Sequence, residues 1–138
     1  MFDTIIQNAL TSLPTFALHL AVTLVMLIAG VVIYTMATPI NEQKLIAAGN
    51  VAASVSFGAI VLSLAIPLAF CLKASVGLAD IIVWGAVATV LQLIAFGVAT
   101  LVFRDMSRRI EAGDMAAAVA LSATNLAVAA LNAAAISG

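Results

Sequence analysis

Four long apolar stretches, separated by short polar segments, dominate the pattern of the chain. They lie at about residues 15–38, 50–72, 81–103 and 115–136. A helix needs about 20 apolar residues to cross the hydrocarbon core of a bilayer, so each stretch is long enough to span a membrane once. The pattern therefore predicts an all-α integral membrane protein with four transmembrane helices.

Prolines and capping residues predict where these helices begin, bend and end. Residues 2–13 carry apolar groups at helical spacing and predict a short amphipathic helix at the membrane interface, with Pro14 opening the first span. Asn50 and Asp114 each follow a glycine and are the predicted N-caps of the second and fourth spans. Pro67 removes a backbone donor inside the second span and predicts a kink there.

The second and fourth spans have similar sequences. When Asn50 is aligned with Asp114, nine other positions are identical, among them the glycines that precede both residues. The similarity predicts two parallel two-helix repeats. The loop after the third span lacks an equivalent of Pro39, so that span is expected to run on into it. We predict a single membrane domain over 1–138, made of an interfacial segment at 1–14 and repeats at 15–72 and 78–136.

Composition narrows the classes of function. With 65% hydrophobic and 8% charged residues, the chain is outside the range of water-soluble domains, and its net charge of −1 argues against a nucleic-acid partner. One cysteine, Cys71, and one histidine, His19, exclude a disulfide within the chain and a thiolate or histidine metal cluster. No catalytic motif is present. We therefore predict no enzymatic activity, no cofactor and no metal site.

Basic residues predict the orientation in the membrane. Four of the five are in the loops after the first and third spans: Lys44, Arg104, Arg108 and Arg109. Because basic loops stay in the cytoplasm, we expect loops 39–49 and 104–113 to be cytoplasmic and both termini periplasmic. This basic rim is expected to contact lipid headgroups. Glu42 is a candidate partner for Arg108 or Arg109 across the two loops.

Several separated motifs resemble one protein family. They are TPINEQKLI at 38–46, NVAASVSFG at 50–58 leading to Ile66-Pro67-Leu68, and LNAA at 131–134. On these residues the chain resembles the "domain of unknown function 350" family of small YjfL-like bacterial inner-membrane proteins. The resemblance implies a four-helix inner-membrane protein and brings no known reaction.

Two groups of polar residues in or near the membrane allow two interpretations each. The first group is in the third and fourth spans and consists of Gln92, Ser122, Asn125 and Asn132. These side chains predict either hydrogen bonds between helices or a polar pathway for a solute. The second group, His19 and Asp80, is near the outer boundary. It predicts either a proton-relaying pair or two separate groups in contact with water.

Small residues recur at four-residue spacing in the second and fourth spans, as in Ala52/Ser56 and Ala123/Ala127. Such faces favour close helix packing, either within the chain or between copies, and we favour a homo-oligomer. The leading hypothesis is a scaffold or accessory subunit that holds lipids, further copies or other membrane subunits, because the spans carry no charge in their interior. The alternative is a small oligomeric channel or passive permeation pathway lined by the amides.

Overall fold

The computed structural model describes residues 1–138 and consists of six helices and the turns that join them. The helices are α1 (Phe2–Ala37), α2 (Glu42–Ala47), α3 (Val51–Ala74), α4 (Leu78–Val102), α5 (Met106–Glu111) and α6 (Met115–Ser137). The helices α1, α3, α4 and α6 are each long and apolar enough to cross a membrane. The prediction of an all-α protein with four transmembrane helices is confirmed.

The centre of the bundle is the interface between α3 and α6. Ala52 and Ala53 of α3 and Ala117 and Ala118 of α6 are at most 1% exposed and form one core cluster with Ile110 of α5. Small side chains allow two backbones to approach closely, which favours helix association in lipid. Part of the small-residue pattern of the two spans therefore serves packing within the chain.

The helices α1 and α4 pack around this centre, and α1 contacts α3 and α4. Two buried glycines lie at their interface. A Cβ atom on Gly85 would lie 2.6 Å from the Met26 Cε atom, and one on Gly30 would lie 3.1 Å from the Thr89 Cγ2 atom. Further along, the rings of Tyr34 and Phe96 meet edge to face with centroids 5.6 Å apart. Close contact and an aromatic pair together fix α1 against α4.

Prolines do not interrupt the long helices. The short N-terminal helix expected from the sequence is not a separate element, because α1 continues from Phe2 to Ala37 with Pro14 inside it. A proline removes one intrahelical hydrogen bond, yet its φ of about −65° is helical, so the flanking residues can continue the helix. Pro67 likewise lies within α3, which is continuous from Val51 to Ala74. The kink at Pro67 stays a prediction.

The third span ends earlier than the sequence suggested. We expected it to run on into the following loop, but α4 stops at Val102, and Phe103 leaves the helical region with φ −108° and ψ 59°. The N–H of Met106 donates to the Phe103 carbonyl at 3.0 Å, which closes a turn before α5 begins. A turn without proline therefore separates α4 from α5.

Candidate functional site

The short helices α2 and α5 end with the same backbone geometry. Gly49 and Gly113 both have φ 86°, a left-handed conformation that glycine adopts without steric cost. The N–H groups of the next residues, Asn50 and Asp114, each donate to the carbonyl five positions earlier at 2.9 Å. This is a Schellman ending, and the residue that completes it is also the N-cap of the following long helix. The similarity of the two complete halves as repeats stays a prediction.

Asn50 connects the start of α3 to the end of α5. Its Oδ1 atom accepts a hydrogen bond from the Ala53 N–H at 3.0 Å, which caps α3. Its Nδ2 atom donates to the carbonyls of Ile110 and Glu111, both at 3.1 Å. An amide is required for this double function, because a carboxylate has acceptors only.

Asp114 performs the capping of α6 with a carboxylate. Its Oδ1 atom accepts from the N–H groups of Ala116 and Ala117 at 3.0 and 3.4 Å. Its Oδ2 atom accepts from the Arg109 Nε atom at 2.8 Å. The hydrogen bond from Arg109, followed by that from the Ala117 N–H, lowers the pKa of this carboxyl. Lys44, Arg104 and Arg108, the other members of the basic rim, are exposed.

A buried carboxylate lies at the same end of the bundle. Glu42, the first residue of α2, is 3% exposed, and its Oε1 atom accepts a hydrogen bond from the Tyr34 hydroxyl at 2.6 Å. No cationic nitrogen lies within 4.0 Å of the Glu42 carboxylate oxygens. The single ion pair of the protein joins Arg109 to Asp114. The expected pairing of Glu42 with Arg108 or Arg109 is therefore wrong. Arg109 donates instead to Asp114, at the end of the same loop.

Burial dominates the electrostatics of Glu42. Loss of hydration raises the pKa of its carboxyl, and the hydrogen bond from Tyr34 opposes that rise. Sequence reasoning missed this contact. The available signal was Tyr34 itself, the only tyrosine, a phenol eight residues before an acid at the end of an apolar span. Such a residue combines an apolar ring with a hydroxyl that seeks a partner.

The amides of the membrane interior connect α4 to α6. Gln92 is 0% exposed, and its Nε2 atom donates to the main-chain carbonyl of Asn125 at 3.3 Å. The Nδ2 atom of Asn132 donates to the Ala88 carbonyl at 3.0 Å and to the Gln92 Oε1 atom at 3.4 Å. The Oγ atom of Ser122 is buried and has no hydrogen-bond partner. Two of the four predicted polar side chains, those of Gln92 and Asn132, thus belong to one network between two helices, to which Asn125 adds only its main-chain carbonyl.

Of the two interpretations of His19 and Asp80, the proton-relaying pair has no support in the structure. No hydrogen bond or ion pair joins His19 to Asp80. The Asp80 Oδ2 atom accepts from the Val76 N–H at 3.3 Å, and the main-chain carbonyl of His19 accepts from the Thr23 hydroxyl at 2.7 Å. The Asp80 carboxylate thus bonds to the backbone of the turn before α4, and it makes no polar contact with the His19 side chain.

Comparison with known proteins identifies the family of the chain. The profile described as Domain of Unknown Function (DUF350) matches residues 8–136. The UPF0719 inner membrane protein YjfL of Escherichia coli strain K12 is 33% identical over 128 residues, which cover 93% of this chain and 97% of that protein. The protein of the same name from Escherichia coli O157:H7 matches equally. No solved structure matches the chain.

Proposed function

Because the chain belongs to the DUF350 family and resembles inner membrane proteins along nearly its whole length, we propose that it is a structural subunit of the bacterial inner membrane. In this function it is a scaffold or accessory subunit that assembles with further copies or with other membrane proteins. The proposal rests on the hydrogen bonds that the amide side chains inside the membrane make between α4 and α6.

Those amides serve helix packing. Gln92 and Asn132 bond to each other and to main-chain carbonyls of the facing helix. In hydrocarbon an unsatisfied amide is costly, so such bonds hold two helices in register. The network supports a scaffold over the alternative, a small oligomeric channel lined by Gln92, Ser122, Asn125 and Asn132, because it occupies the side chains of Gln92 and Asn132, which a channel needs free to contact solute.

The outward face of α6 supports assembly with a second copy. Six exposed alanines follow one another at spacings of four and three residues: Ala116, Ala120, Ala123, Ala127, Ala130 and Ala134. They lie opposite the buried face that contains Asn125. The exposed face of α4, by contrast, carries large side chains such as Val90 and Ile94. Large side chains suit lipid tails, whereas a continuous small-residue face suits another helix.

The orientation that accompanies this proposal places the exposed basic rim in the cytoplasm and both termini in the periplasm. The Schellman-ended loops would then face cytoplasmic partners and lipid headgroups. A reporter enzyme that is active only in the periplasm, fused after Gly138, is expected to be active. Activity of a cytoplasm-specific reporter at that position would show that the orientation is the opposite one.

Disulfide cross-linking tests assembly through α6. Cys71 is the only cysteine and is buried, so Cys71→Ala gives a background without thiols. On it, Ala123→Cys is expected to form a covalent dimer in oxidised membranes, because the Cα atoms across such an interface come within disulfide range of about 6 Å. The control is Val90→Cys, at a position that is also exposed, on α4, and it is expected to stay monomeric.

Native mass spectrometry of the unmodified protein in mild detergent completes this test. A homo-oligomer or a mass that includes a companion protein supports the structural function. A bare monomer, together with no cross-link at Ala123, would contradict it.

A further inference from the structure

A polar cavity of about 290 Å³ lies beside the buried carboxylate of Glu42. The end of α1, the start of α2 and the turn between them form its walls. Its lining consists of one hydrophobic residue and six others: Ile40, with Thr35, Thr38, Pro39, Asn41, Glu42 and Gln43. It is thus a small chamber, partly open to solvent, with several oxygen atoms and one acid.

The carboxylate in this chamber lacks a counter-charge. Glu42 is 3% exposed, and the basic side chains of the loops do not come within 4.0 Å of it. A buried charge must be paired or neutralised, because removal from water costs more than one neutral hydrogen bond returns. The Tyr34 hydroxyl satisfies one carboxylate oxygen and adds no charge. A positive ion is what the arrangement lacks.

The oxygen atoms around the chamber can ligate such an ion. The hydroxyls of Thr35 and Thr38 donate to the carbonyls of Val32 and Tyr34, both at 2.8 Å, so their lone pairs remain free. Asn41 adds an amide oxygen that accepts one bond, from the Lys44 N–H. Hydroxyl, amide and carboxylate oxygens are hard ligands.

The charge of the chamber selects the class of ion. No group of three or more acidic, histidine or cysteine side chains is assembled anywhere in the protein. A divalent ion held by protein ligands usually requires more than one carboxylate, whereas one carboxylate balances a monovalent ion. We propose that the cavity beside Glu42 binds a monovalent alkali cation, sodium or potassium, with the Glu42 carboxylate as its counter-charge. This site is independent of the assembly proposed above.

Cation-dependent stability of the full chain tests the site. Protein in mild detergent at mildly alkaline pH is heated in sodium chloride, in potassium chloride, and in N-methylglucamine chloride of equal ionic strength. The midpoint of unfolding is expected to rise by about 5 °C with sodium or potassium and to saturate as one site fills. Because Tyr34 is the only tyrosine and bonds to Glu42, its ultraviolet difference spectrum is expected to change along the same titration.

Two variants assign the effect to the chamber. Glu42→Gln keeps an acceptor for the Tyr34 hydroxyl but removes the charge, and it is expected to abolish both responses. Glu111→Gln, which removes an exposed acid from α5, is the matched control and is expected to keep them. Equal midpoints of the wild type in all three salts, or an undiminished response of Glu42→Gln, would overturn the proposal.

Thr35→Val provides a test if Glu42→Gln does not fold. Loss of one ligand oxygen is expected to weaken the apparent affinity for the cation about tenfold, with the fold unchanged. An unaltered affinity for the cation in Thr35→Val would show that the chamber is not the binding site.

Discussion

Replacement of Ala53 by leucine is expected to destabilise the protein by about 3 kcal/mol, at the upper end of the range for overpacked interiors. Ala53 is 0% exposed and lies among Ala117, Ala118 and Ile110, where α3 and α6 meet. A leucine there must push the two helices apart, which also removes the close backbone approach that favours their association. Thermal or denaturant unfolding followed by circular dichroism in detergent measures the change.

The control for Ala53→Leu is Ala17→Leu, which makes the same substitution on the exposed face of α1. A leucine facing lipid or detergent meets no neighbour, so the free energy of unfolding is expected to change by less than about 0.5 kcal/mol. Equal effects of the two substitutions would mean that α3 and α6 are not tightly packed at Ala53.

Replacement of Asn50 by aspartate is expected to cost about 2–3 kcal/mol, although aspartate is as good an N-cap as asparagine. The carboxylate keeps the bond from the Ala53 N–H. It loses both bonds donated to Ile110 and Glu111, each worth about 1 kcal/mol, and places a charge against two carbonyl oxygens. Unfolding of the variant in detergent measures the loss.

The reciprocal substitution, Asp114→Asn, is the matched control. It keeps the capping oxygen of α6 and removes only an exposed ion pair with Arg109. Exposed ion pairs contribute little, so we expect a small effect near neutral pH. If Asn50→Asp proves as mild as Asp114→Asn, the contact between α3 and α5 does not contribute to stability.

The transmembrane helices were predictable because their signals are local. Consecutive residues determine the length and apolarity of each span. The starts of α3 and α6 are likewise marked by adjacent residues, Gly49 with Asn50 and Gly113 with Asp114. The continuity of α1 through Pro14 could not be predicted from the sequence, since a proline permits either a helix start or an uninterrupted helix.

The contacts of the candidate sites depend on how helices are placed in space, which local patterns do not specify. Sequence reasoning identified Glu42 and Arg109 as charges in facing loops, but their actual partners are Tyr34 and Asp114. It likewise identified Gln92 and Asn132 without the carbonyls that they bind. For the fourth span, the four-residue spacing of alanines predicted close helix packing, but only the structure shows which alanines, Ala117 and Ala118 among them, lie in the core.

The length of α1 has a consequence for its placement in the membrane. At 1.5 Å per residue its 36 residues extend about 54 Å, whereas the 24 residues of α3 extend about 36 Å. Residues 1–18 are exposed or nearly so throughout, so no other helix holds this half of α1 in place. A helix can extend past the hydrocarbon thickness of about 30 Å where its side chains suit headgroups or water, and the first turns of α1 carry Asp3, Gln7 and Asn8. The first turns of α1 are therefore expected to project beyond the hydrocarbon core, while the contacts of Gly30 and Tyr34 with α4 set the inclination of the helix.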